Sequence, residues 1–118
     1  MTTNELLVLL KTQPENINFN EVIKVIDSEY TYSPSRFSNG QGSDTIINES
    51  GTNEGSCKIF AFAKLHQLTK QQTLDCFGKY YRDDVLQHPQ GNDHANVRSL
   101  MSYDLESIQF DNIVLIEK

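Results

Sequence analysis

Tryptophan is missing from the chain, cysteine occurs only twice and proline only three times. Two cysteines, Cys57 and Cys76, are too few for a disulfide framework and form no Cys-x-x-Cys pair, so reduced thiols in a reducing compartment are expected. Pro14, Pro34 and Pro89 are spaced to punctuate elements rather than to build a linker. No apolar run reaches the roughly 18 residues a bilayer span requires, and the opening MTTNELLVLLKT lacks the positive leader and cleavage pattern of a secretory signal. Cytosolic synthesis follows as an expectation. Lys and Arg are scattered and never form a block, and ten of them against 16 Asp and Glu leave a net charge of −6. That balance repels phosphate backbones and anionic lipid, which argues against nucleic-acid and membrane partners. AsnGlyGlnGly at 39–42 reads as a turn, since no helix with Lys and Ser or Thr follows at phosphate-loop spacing. No cofactor motif is present.

What remains is a 118-residue chain with 37% hydrophobic residues arranged in periodic runs, enough for one domain over residues 1–118 that closes its own core. A monomer is expected. Thr2 with Glu5 forms a capping box ahead of an apolar helix that stops before Pro14. Asn18 with Glu21 opens a second helix, in which Phe19, Val22, Ile23, Ile26 and Tyr30 share one face. Tyr32, Phe37, the Asn39-Gly40 turn and Thr45 to Ile47 predict a loose hairpin. Ser56 is positioned to cap a central helix that is apolar on nearly every side. Thr69 with Gln72 opens another, with Leu74, Phe77, Tyr81 and Val85 inward and Gly78 as the point where it divides. Asn92 or Asp93 would cap a last helix burying Val97, Leu100 and Met101. Two strands, 107–110 and 113–116, would close the chain as a hairpin about Asp111-Asn112. The fold class is α+β, about five helices packed on a small, mainly antiparallel sheet.

Several of these segments together resemble the HopJ family of small bacterial proteins, named as type III effectors. They are AsnGluGlySerCysLysIlePhe at 53–60, CysPheGly at 76–78, TyrTyrArgAsp at 80–83, HisPro at 88–89 and AspHis-x-Asn at 93–96. The first helices and ThrTyrSerPro at 31–34 extend the likeness over nearly the whole chain. One departure is SerTyrAspLeuGlu at 102–106, where the resemblance implies a Gly-Trp pair in many relatives. The resemblance implies effector activity through a protein partner, a host protein if the chain is delivered by type III secretion. Against delivery stands the capped, apolar helix at the N-terminus, since export leaders are usually unstructured.

Three groupings could carry chemistry. Cys57, in the first turn after Ser56, would have its thiolate favoured by the helix dipole and by Lys58. His88 or His94, oriented by Asp84 or Asp93, would supply the base of a Cys-His-Asp arrangement. Asp83, Asp84, His88, Asp93 and His94, with Glu54 from the other loop, gather metal-ligand types within a short span, but the spacing matches no zinc signature and helix capping explains it as well. Tyr80 and Arg82 suit recognition, with Tyr81 turned inward. His66 reads as a satisfied core or edge histidine rather than a ligand. The leading expectation is a non-enzymatic protein that acts by protein interaction. The alternative is a small enzyme or ligand binder whose cleft lies between the 53–58 loop and residues 80–98, with Glu54, Cys57, Tyr80, Arg82, Asp84, His88 and His94 as candidate binding residues.

Overall fold

A computed structural model describes residues 1–118 and contains five α-helices, a π-helical turn and two small antiparallel sheets. Helix α1 (Thr3–Thr12) opens on the Thr2–Glu5 capping box, and Thr2 Oγ1 accepts from the Glu5 amide at 3.2 Å. Asn18 caps α2 (Phe19–Glu29) by accepting from the amides of Asn20 and Glu21. Thr69 and Gln72 form the capping box of α4 (Lys70–Asp75). Each cap occupies first-turn N–H groups that would otherwise lack an acceptor, which is why these three starts were legible.

The strands are β1 (Tyr30–Tyr32), β2 (Phe37–Asn39), β3 (Ile46–Asn48), β4 (Gln109–Phe110) and β5 (Leu115–Glu117). β2 pairs with β3 as the expected hairpin, Phe37 opposite Asn48 and Asn39 opposite Ile46. Its connection is longer than a two-residue turn, because a 3₁₀ turn at Gly42–Asp44 intervenes. The C-terminal hairpin does not form. β4 joins β2, completing the order β3-β2-β4, whereas β5 pairs with β1 in a separate sheet. Two bonds part them at the corner: the Asp111 amide donates to Arg36 O, and the Asn112 amide donates to the buried Ser35 hydroxyl at 3.1 Å.

Helix α3 (Glu54–Leu65) runs through the middle, with Ile59, Phe60, Phe62 and Ala63 all fully buried. Phe60 meets Phe37 and Phe77 at ring centroids 6.1 and 5.6 Å away, joining the β3-β2-β4 sheet to the α4 segment through one side chain. Val22, Val25 and Ile26 of α2 and Leu6 and Leu10 of α1 complete one continuous core.

Two helix starts differ from the sequence reading. α3 begins at Glu54 with Asn53 as its N-cap residue, so Ser56 lies within the first turn and caps nothing. α5 (Ala95–Ser102) begins after His94 instead of after Asn92 or Asp93. Asn53 and His94 both take left-handed backbone, φ 49 and φ 50, and so swing the chain into a helix without a side-chain cap. Met101 is 38% exposed rather than buried, because α5 presents only Val97 and Leu100 to the core. Its neighbour in space is Lys70, which donates to Met101 O.

Gly78 divides the α4 region as expected. It stands at φ +57, and a Cβ there would lie 2.9 Å from the Phe19 amide nitrogen. Beyond it the chain continues as the π-helical turn Tyr80–Val85. Gly42 has nearly the same φ, +58, but open space around it. In urea unfolding, Gly42→Ala should show only the backbone cost of a non-glycine residue at positive φ, about 1–3 kcal/mol. Gly78→Ala should cost clearly more; equal losses would contradict the close approach of Phe19.

Candidate functional site

The starts of α3 and α5 face one another across an open cleft of about 340 Å³. Asn53, Gly55 and Ser56 line one side, His94, Ala95 and Asn96 the other, and Ile46 of β3 contributes at the edge. Phe19, Phe77 and Tyr80 form an aromatic wall. Phe19 sits against the α3 backbone because residue 55 is glycine: a Cβ there would fall 2.7 Å from the Phe19 ring. From Phe19 the wall runs inward to Phe77, at 6.2 Å between centroids, and outward to Tyr80, edge-on at 4.9 Å. Tyr80 in turn lies 5.1 Å from the His94 ring at an interplanar angle of 30°. With His94 the row is four rings long, and Tyr80 within it is 40% exposed. Tyr81, one residue on, is buried, as its place on the inward stripe predicts.

A buried amide network holds these parts in register. Asn39 Nδ2 donates to the Asn96 carbonyl and to Asn96 Oδ1, at 3.0 and 3.1 Å. Asn48 Nδ2 donates to the same Oδ1 at 3.1 Å, and Asn96 Nδ2 returns a bond to Asn48 Oδ1 at 2.9 Å. Asn53 Nδ2 donates to Asn48 Oδ1 at 2.7 Å, and the Ser99 hydroxyl donates to Asn39 Oδ1 at 3.3 Å. Asn39, Asn48 and Asn96 are all buried, so each amide needs these partners. Sequence reasoning missed the network. Asn39-Gly40 reads as a turn, and a turn asparagine carries no sign that its side chain points inward.

His94 is fixed from behind. Its Nε2–H donates to Asp84 Oδ2 at 2.9 Å, and Asp93 Oδ2 lies 3.8 Å from the same nitrogen. A carboxylate accepts only, so the proton belongs on Nε2 and Nδ1 is left without a partner in the chain. Arg98 donates to Asp93 Oδ1 at 2.6 Å, and that bond holds the Asp93 carboxyl below its ordinary range. Asp84, Asp93 and His94 bring one ligand atom each within 4.8 Å. The guanidinium already neutralises one of those carboxylates, and His88, Asp83 and Glu54 stay outside the group.

The other candidates are dispersed. Cys57 is buried and does not line the cleft; its thiol faces Ser35 O at 4.0 Å, and its amide already donates to Asn53 O. Burial pushes the Cys57 thiol up, the opposite of what a nucleophile requires. Cys76 is buried and pushed up to about 12 by the same cause. Glu54 accepts from Tyr32 OH at 3.2 Å, and Arg82 Nη2 donates to Ile17 O at 3.0 Å. His88 lies exposed in the turn before Pro89, where its carbonyl accepts from Arg98. The Cys-His-Asp arrangement is thus not assembled, whereas Tyr80, His94 and Asp84 are brought together. His66 bonds Tyr30 OH at 2.5 Å, and burial lowers its pKa, as suits a satisfied edge histidine.

An α+β chain with one open cleft between two helix starts and no helix long and apolar enough to cross a membrane is the class defined so far. The family model described as HopJ type III effector protein matches residues 3–115, and the chain belongs to that family. Its structure is also similar to the crystal structure of the unknown function protein VPA0580, with a TM-score of 0.94 and 43% identity, over 100% of this chain and 95% of that one. No curated protein matches.

Both thiols should resist iodoacetamide at neutral pH while the chain is folded and react fully once it is denatured, as intact mass would record. Selective alkylation of native Cys57 would contradict the burial described.

Proposed function

We propose that this HopJ-family chain works as an effector-type protein by recognising another protein, with the cleft as its contact site. The family description, a type III effector protein, supports that reading, in which the chain would be delivered by type III secretion and its partner would be a host protein. Physical support comes from the cleft itself. Tyr80 stands exposed between Phe19 and His94, and aromatic side chains at the edge of a concave surface supply contact area at small entropic cost. Ser56 and Tyr80 hydroxyls make no hydrogen bond within the chain and line the same space. The net charge of −6 disfavours phosphate backbones and anionic lipid as competing partners. The exposed Tyr80 in that setting is the single observation that carries the reading.

A photo-reactive benzoylphenylalanine replacing Tyr80 in the intact chain should yield one discrete protein adduct in host-cell extract. The same group replacing Lys11, outside the cleft, should not. Adducts of equal yield from both positions, or none from position 80, would overturn the reading.

A further inference from the structure

Away from the cleft, one buried hydroxyl stands between two helices that are distant in the chain. Tyr30, 2% exposed at the start of β1, places its hydroxyl 2.5 Å from Nε2 of His66, the residue that ends α3. A phenol, with a pKa of about 10, gives up its proton far more readily than a neutral imidazole N–H, so Tyr30 donates and Nε2 accepts. Burial pushes the Tyr30 hydroxyl up and His66 down, which keeps both groups neutral in that bond. His66 is only partly buried, so a proton from water can reach it. On the other side stands Thr3, in the first turn of α1. Its amide donates to the Glu29 carboxylate at the end of α2, and its Oγ1 is buried without a hydrogen-bond partner. Thr3 nevertheless lies near enough to both neighbours to act on them: its amide and hydroxyl hold Glu29 below the ordinary range, and it offsets part of the rise that burial gives Tyr30. Glu117 on β5 faces both Tyr30 and His66, and the N-terminal amine and Glu5 of α1 act on Glu29 from beyond Thr3.

We propose that His66, Tyr30 and Thr3 form a proton-driven relay from the end of α3 to the start of α1. When a proton from water is added to the unshared pair of Nε2, that nitrogen becomes a donor and the Tyr30 oxygen must accept from it. The Tyr30 hydroxyl proton then turns to the vacant Thr3 Oγ1, whose own proton points to the Glu29 carboxylate. The row of hydrogen bonds reverses, and Tyr30 exchanges its acceptor on α3 for one on α1. Folding favours the neutral imidazole, so the stability His66 contributes is present above its unfolded pKa of about 6.5 and is lost as pH falls through the lower folded value. The relay limits that loss, because the protonated state then has a partner for each donor in the row.

Long-range ¹H–¹⁵N spectra of the full labelled chain read the imidazole tautomer and follow the Thr3 amide through a pH titration. At about pH 8 His66 should carry its proton on Nδ1, and on acidification the Thr3 amide should shift with the midpoint of His66. Tyr30→Phe keeps the ring and should abolish that dependence, leaving in the Thr3 signal only the titration of Glu29 at lower pH. Thr3→Val removes an acceptor that only the protonated state uses. It should weaken proton binding at His66 about threefold to tenfold, the net worth of one hydrogen bond, without lowering stability to urea at about pH 8. Where far-ultraviolet circular dichroism shows that a variant has not folded, the tautomer and the shared midpoint in the unaltered chain still decide. A proton on Nε2 at about pH 8, a Thr3 amide indifferent to the His66 midpoint, coupling that survives Tyr30→Phe, or unchanged proton affinity in folded Thr3→Val would overturn the relay.

Discussion

Everything that gives the cleft its shape depends on three buried asparagine amides that satisfy one another. An amide buried without partners costs about 1–3 kcal/mol, and Asn96, which bonds both Asn39 and Asn48, is the member whose loss leaves the other two short of a partner. Because Asn39 and Asn48 sit on the β2–β3 hairpin and Asn96 on α5, the network fastens a helix to a sheet through polar contacts. Asn53 joins the same oxygen of Asn48, and that bond settles where α3 begins. The two cleft walls are therefore set by one cluster, and a shift at one wall is felt at the other.

Packing supplies what the amides do not. Phe19 fits between the starts of α3 and the π-helical turn only because Gly55 and Gly78 leave room on either side of it. Its ring then carries the aromatic wall from the core residue Phe77 out to exposed Tyr80. Rigid support on the inside and an exposed ring on the outside is the arrangement expected of a recognition surface.

The three side-chain-capped helices were readable because a cap is a local pattern: Thr2 with Glu5, Asn18 with Glu21 and Thr69 with Gln72 need no information from elsewhere in the chain. The sequence places Asn53 ahead of the α3 start and His94 inside the first turn of the last helix, whereas both are N-cap residues, since a left-handed N-cap is chosen by tertiary contacts and not by its own side chain. The C-terminal strands were found but wrongly paired; Ser35 and Arg36, some 75 residues earlier by their numbering, redirect the chain at Asn112. In the site, Tyr80, Asp84 and His94 were legible as recognition and ligand types. Cys57 was not, because its position within the helix by three residues decides between an exposed first turn and the core, and a sequence-level cap assignment carries just that error.

Both walls of the proposed contact surface hang on the asparagine cluster. A double-mutant cycle between Asn48 and Asn96, with Asn→Ala changes measured by urea unfolding, tests that dependence most directly. Residues sharing a buried polar network should be coupled by about 0.5–3 kcal/mol, the double variant losing less than the sum of the single ones. Strictly additive losses would mean that the two amides act independently and that no common cluster holds the cleft.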